Sequence, residues 1–248
     1  MANDNFFMAF DIETIPLDWD SFSESQQEYL IRNAQTEEEI QKKKNEMALT
    51  PFTAKAVCIG IQIMKPADDG TYELINKGAL ALDESLIDSA CEEKILETGD
   101  VCKLYNEKMM LEQFWRIINK YRNVHLVSFN GRNFDAPFLM LRSALLGIKP
   151  SRNLMSGTKF NYSYHTDLLD ELTFYIPQQV GATRRFNFDF YTRAFGLVSP
   201  KSAGVDGSKV AEYFHNGKIL EIAEYCLRDV YATWELFCIW REFLAFRD

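Results

Sequence analysis

No hydrophobic run in these 248 residues reaches the ~18–20 apolar residues of a membrane span, so a membrane-embedded protein is not expected. Met1 to Phe10 has neither the basic start nor the apolar stretch of a signal peptide, so secretion is not expected either. Histidine is scarce, and three scattered residues argue against a His/Cys zinc centre. The five cysteines, Cys58, Cys91, Cys102, Cys226 and Cys238, are odd in number and contain no Cys-x-x-Cys pair. They read as buried free thiols in a reducing cytosol, which makes a cytoplasmic location the expectation. Positive charge is short as well: 27 basic residues face 36 acidic ones, a net of −9. At face value that balance argues against a nucleic-acid partner.

What is present is ordinary for a folded domain. Hydrophobic residues make up 47% and charged residues 25%, enough apolar content for a core and too little charge for a disordered chain. Phe6 to Ile12 is nearly all apolar and ends in acid, as a central strand covered on both sides would be. Residues 18–50 turn polar and charge-rich, with helical stretches around Ser23–Asn33 and Thr36–Met47. Thr36 followed by Glu39 has the form of a capping box. This stretch reads as a helical insertion, and Lys42, Lys43 and Lys44 as its solvated face.

Lys55–Lys65 and Tyr72–Leu80 flank the turn signal Asp68-Asp69-Gly70 and suggest a hairpin. Residues 81–106 fit short strands and a helix equally. Glu107–Tyr121 carries Met110, Phe114, Ile117 and Ile118 at helical spacing. A short strand over His125–Phe129 and a helix over Phe134–Leu146 follow, the latter ending near Gly147. Residues 149–163 read as loop, Asp167–Leu172 and Phe188–Phe195 as short helical pieces, and Lys218–Phe246 as one long helix. The order implies a mixed three-layer α/β arrangement.

Three places carry chemistry. In Phe10-Asp11-Ile12-Glu13-Thr14 the two acids stand two apart at a strand end, so their carboxylates share a face. They are either a surface acid pair or a pair neutralised by a hard divalent cation. In Asn130-Gly131-Arg132-Asn133-Phe134-Asp135 the last acid opens a helix, as an N-terminal dipole contact or as a ligand. In Tyr225-Cys226-Leu227-Arg228-Asp229 the tyrosine and the acid are four apart on one helical face. Asp229 is either exposed on the polar side or buried with a cationic partner.

In this order and spacing the three motifs resemble those of the DEDD superfamily of 3′–5′ exonucleases. Asp-x-Glu-Thr, Asn-x-x-x-Phe-Asp and Tyr-x-x-x-Asp match its first, second and third motifs, and the last marks the tyrosine branch. The histidine branch needs His five residues before the final Asp, and position 224 is Glu. His165-Thr166-Asp167-Leu168 also fits the stand-alone predicted exonucleases related to the proofreading domain of family B DNA polymerases.

The resemblance implies a ribonuclease-H-like α/β fold with a mixed central sheet flanked by helices. It implies one exonuclease domain over 1–248, with 18–50 inserted and no room for a polymerase region. Two divalent ions, Mg²⁺ or Mn²⁺, are implied, with Asp11 bridging them. Glu13 and Asp229 would complete the site of the ion that binds the attacking water, and Asp135 would hold the second ion. Tyr225 would orient the water, Thr14 would approach the 3′ end, and Leu17 would lie against the last base. Asn130 and Phe134 would shape the second motif's turn, with Phe134 in the core. His165 and Asp167 lack a nearby nucleophile and read as structural.

The implied reaction releases nucleoside monophosphates from single-stranded 3′ ends, DNA favoured and RNA also open. The competing readings are a non-catalytic nucleic-acid-binding module and a metal-dependent endonuclease on the same fold. Protein partners and oligomeric state carry no signal.

The charge argument changes when taken by region. Residues 142–209 hold nine basic and five acidic side chains, a net of +4 in a chain of −9. Within it Arg184 and Arg185 stand among Phe186, Phe188, Phe190 and Tyr191, a pattern suited to a single strand whose bases stack. The bland alternative is core aromatics beside a solvated turn. Gly204-Val205-Asp206-Gly207-Ser208 reads as a surface turn ahead of a helix or as a phosphate cradle.

Overall fold

The computed structural model describes residues 6–87, 90–199 and 207–246. Among them one mixed sheet runs in the order β4-β5-β3-β2-β1-β6-β7. The strands are β1 (Phe7–Pro16), β2 (Ala54–Pro66), β3 (Tyr72–Leu82), β4 (Glu92–Ile95), β5 (Val101–Tyr105), β6 (His125–Ser128) and β7 (His165–Asp167). β1 pairs antiparallel with β2 and parallel with β6, which makes it interior as its apolar run requires. The β2–β3 hairpin turns through Gly70, whose φ of +85° suits the residue without a Cβ.

Helices cover both faces. On one side α3 (Glu107–Lys120) and α4 (Asp135–Leu145) pack Met110, Phe114, Ile118, Phe138 and Leu139 against Met8, Phe10 and Ile12 of β1. On the other, α8 (Ile219–Phe243) packs Tyr225, Cys226 and Leu227 against β2, β3 and β5, and Val230, Trp234 and Phe237 against Phe7 and Ala9. Strand alternation therefore sends Asp11 and Glu13 toward α8, following Phe7 and Ala9. This is the expected mixed three-layer α/β, ribonuclease-H-like arrangement.

Between β1 and β2 lie α1 (Glu24–Ile31) and α2 (Glu37–Glu46). Thr36 and Glu39 close the expected capping box on α2. Lys43 pairs with Glu46 and Lys44 lies over the Trp19 ring, while Lys42 is exposed. The remaining short helices are α5 (Leu168–Leu172), α6 (Phe188–Ala194) and α7 (Val210–His215).

β7 departs from the sequence expectation, and β4 and β5 take the strand alternative left open for residues 81–106. β7 extends the sheet by three residues, and Asp167, expected as the first residue of a helix, closes the strand and caps α5. β4 and β5 form a charged edge, with Lys94–Glu92 and Lys103–Glu93 ion pairs. Cys91 is exposed, contrary to the expectation of burial, because it directly precedes that edge. The turn 204–208 lies mostly outside the described residues.

Candidate metal centre

Asp11 and Glu13 reach the α8 face of β1, and Asp229 meets them from α8. One ligand oxygen from each lies within 4.8 Å of the others. Tyr225 is one turn before Asp229 and buried. The fourth acid, Asp135, sits beside this group but outside the tight set of three. Its place follows from the strand pairing. β6 pairs with β1 only as far as Ala9, so Ile12 has no strand partner on that side. The Ile12 N–H instead donates to Asp135 Oδ1 at 3.0 Å, anchoring the start of α4 to β1.

Two glycines permit this closeness. Gly60 on β2 pairs with Asp11, and a Cβ there would lie 2.9 Å from Val230 Cγ2 and 3.0 Å from Cys226 Sγ. Its absence lets α8 lie close to the sheet directly behind Asp11. The Cys226 thiol also points at the Asp11 carbonyl oxygen, 3.4 Å away. Gly131 is equally constrained: a Cβ would stand 2.4 Å from Ser128 Oγ and 3.3 Å from Asp135 Oδ2. Sequence reasoning passed over Gly60. Its signal was a lone glycine in a β-branched run, which marks a close backbone approach.

The turn between β6 and α4 is held from β7. Asp167 accepts from the N–H groups of Asn130 and Arg132 at 2.8 Å each, and from Leu169 at 3.1 Å. His165 Nε2 shares a hydrogen bond with Ser128 Oγ at 2.7 Å. The pair is thus structural, as expected, and fixes the loop that delivers Asp135. Phe134 packs against Phe138 in the core cluster.

The outer candidate residues are placed as follows. The Thr14 hydroxyl donates to Ala48 O at 2.7 Å, tying the end of the helical stretch to β1. Leu17 is half-buried, and its N–H donates to Thr53 O. Arg185 donates to Asn130 Oδ1 at 3.1 Å, which brings the basic-aromatic segment to the second motif. Arg184 is exposed, 4.8 Å over the Phe186 ring. Tyr191 and Phe188 pack inward, while Phe190 stays half-exposed and stacks on Phe186 at 4.0 Å.

The electrostatics are those of a site short of positive charge. Burial, then the Asp135, Asp229 and Glu13 charges, hold the Asp11 carboxyl well above its usual range. Burial and Asp229 do the same to Glu13. Asp135 is lifted to about 7, mainly by burial, against the pull of the Ile12 N–H. Asp167 is lifted to about 6 by burial despite its three donors. Burial, then the charges of Asp229, Glu13 and Asp11, push the Tyr225 phenol far above its normal value, so it stays protonated. An all-oxygen set of partly buried, mutually repelling carboxylates fits a hard divalent cation, which would relieve both penalties.

A stability profile follows. From about pH 4 upward the folded carboxyls hold protons that the unfolded chain has released, Asp135 to about 7 with Asp11 and Glu13 also held high, so stability falls as pH rises. Burial depresses His125 to about 4 and His165 to about 3, so these two lower stability as pH falls below about 6.5. In EDTA, Tm is therefore expected to be higher at pH 6.5 than at pH 8.5. The rise in Tm on adding Mn²⁺ is expected to be larger at pH 8.5, where protons no longer compete. Thermal melts at the two pH values check both signs. A metal-free Tm that climbs from pH 6.5 to 8.5 would contradict this electrostatic account.

Comparison with known proteins gives three findings. A family model described as "Predicted 3′–5′ exonuclease related to the exonuclease domain of PolB" matches residues 87–245, a span that includes Asp135, Tyr225 and Asp229. A DNA polymerase from Desulfurococcus sp. (strain Tok) is 28% identical over 140 residues, 52% of this chain and 18% of that polymerase. The structure of the family B DNA polymerase from the hyperthermophilic archaeon Pyrobaculum calidifontis aligns with 95% of this chain and 24% of its own, at 16% identity and a TM-score of 0.54. The chain thus spans a quarter or less of either polymerase, and the structural likeness is one of fold.

Proposed function

The chain belongs to the family of predicted 3′–5′ exonucleases related to the exonuclease domain of PolB, and from that premise we propose that it removes nucleoside monophosphates from the 3′ ends of single-stranded nucleic acid. DNA is the favoured substrate and RNA the second. The observation that carries this reading is the close meeting of Asp11, Glu13 and Asp229 beside a buried Tyr225.

In this reading Asp11, Glu13 and Asp229 hold one divalent ion, and Asp11 with Asp135 a second, each Mg²⁺ or Mn²⁺ by the oxygen-only donor set. Ions held there would supply an acidified water and offset negative charge on the leaving 3′ oxygen. The chain's own groups do the rest. Tyr225, held protonated, donates a hydrogen bond that orients the water instead of taking its proton. This is the tyrosine-branch arrangement. The Ile12 N–H and the turn pinned by Asp167 keep Asp135 from drifting. Thr14 and Leu17 face the terminal nucleotide, and Asn130, Arg184 and Arg185 the strand behind it.

A degradation assay tests this. Single-stranded DNA and RNA carrying 5′ or 3′ labels are incubated with Mg²⁺, Mn²⁺ or EDTA. The 5′-labelled strand should shorten in single-nucleotide steps, the 3′ label should leave at once as a mononucleotide, and EDTA should stop both. A nicked circular strand would instead favour an endonuclease. Binding with no turnover in either metal would favour a non-catalytic module.

A further inference from the structure

A cavity of about 450 Å³ opens beside the Asn130 turn, lined by Asn130, Arg132, Thr158, Lys159, Asp170 and Arg185 among others. Its charged groups fall into two sets. Arg132 is buried, 3.7 Å over the Tyr162 ring, and donates to Ser156 O. Asp170 accepts from the Tyr162 hydroxyl. These groups hold the wall together. Lys159 and Arg185 are exposed and meet only neutral partners: Lys159 lies 5.7 Å over the Phe160 ring, and Arg185 rests on Asn130 Oδ1. Among the described residues neither forms an ion pair with a carboxylate. In a chain of net −9, two unpaired cations on one cavity form an anion site.

The neighbouring surface is aromatic as well as basic. Phe160 is 68% exposed, and a large apolar ring left open beside a cation has a use that a free phosphate would not require. A nucleic-acid strand supplies both matches, phosphates for the cations and bases for the ring. The cavity shares Asn130 with the turn that leads to Asp135, which places it beside the second motif.

We propose that this cavity holds the single strand immediately upstream of the nucleotide being removed, with Lys159 and Arg185 on backbone phosphates and Phe160 stacking on a base. The proposal rests on the exonuclease reading for the strand's direction and adds the track along which the strand lies.

The test is fluorescence anisotropy of a labelled single-stranded DNA 12-mer with the full chain in EDTA, so that binding is read apart from turnover. Lys159→Ala with Phe160→Ala should weaken binding about tenfold, one stacked base and one phosphate contact being lost. The slope of log affinity against log salt should become shallower by about 0.7. Lys94→Ala, which removes a lysine on β4 at the opposite edge of the sheet, should change neither. Thermal melts verify that the variants are folded. Wild-type affinity and slope in the double variant would overturn the track, as would equal weakening by Lys94→Ala or no binding by the wild type at low salt. A chain that binds through these residues but never shortens the oligomer with Mg²⁺ or Mn²⁺ would overturn the exonuclease reading alone.

Discussion

Asp11→Asn is expected to lower metal-dependent strand degradation by about 10³-fold or more, since bound metal contributes several kcal/mol to the transition state. The same variant should be more stable than the wild type in EDTA at pH 8. The two effects have one cause. Asp11 lies against Asp135, Asp229 and Glu13, and its ionised form is disfavoured by burial and by all three charges. Asparagine keeps the shape and removes the charge, so the metal-free fold loses a repulsion. It also loses the group that two cations would share. The rise in Tm on adding Mn²⁺ should shrink accordingly, because binding to the folded state is what raises it. Melts with and without metal, beside a turnover assay, separate this account from a plain structural lesion. An Asp11→Asn protein that loses activity and also melts lower in EDTA would show that the aspartate supports the fold.

That opposition of stability and activity explains why parts of the site were legible in sequence. Asp11 and Glu13 occupy the point where an apolar central strand turns acidic, and alternation alone sends both to one face. Tyr225 and Asp229 share a face of α8 by their spacing of four. Charged groups at places that local pattern reserves for apolar ones stand out because they break consistency.

The rest depended on long-range pairing. The link from Ile12 to Asp135 exists because β6 stops pairing with β1 at Ala9, and no local pattern encodes where a parallel ladder ends. β7 is three residues long, too short for a period to register, yet it carries Asp167 and so fixes the Asn130 turn. The arginines were visible as a cluster. That Arg185 lies on Asn130 is a contact across 55 residues and belongs to the fold. Thr14 shows the reverse case. Its hydroxyl is bound to Ala48 O, so the helical stretch between β1 and β2 is secured next to the acids.

Gly60 gives the second large effect. Gly60→Val is expected to reduce turnover about 10²-fold, the scale associated with a ~1 Å misplacement of catalytic groups. The first added carbon already falls 2.9 Å from Val230 Cγ2, and 3.3 Å from the Cys226 carbonyl oxygen in the helix backbone. A valine side chain is stiff and a helix backbone stiffer, so α8 must lift from the sheet. Asp229 and Tyr225 ride on that helix and would move away from Asp11 and Glu13. Overpacking of this kind also costs ~1–3 kcal/mol of stability, and so should lower Tm by several degrees. A compensating pair tells displacement from general damage. Gly60→Ala should show a milder loss, and adding Val230→Ala should restore part of the turnover by clearing the nearest atom, although Val230→Ala alone leaves a cavity. Recovery of turnover without recovery of Tm would be the signature of a realigned helix. If Gly60→Val retains wild-type turnover, the close approach of α8 behind Asp11 has no part in placing the acids.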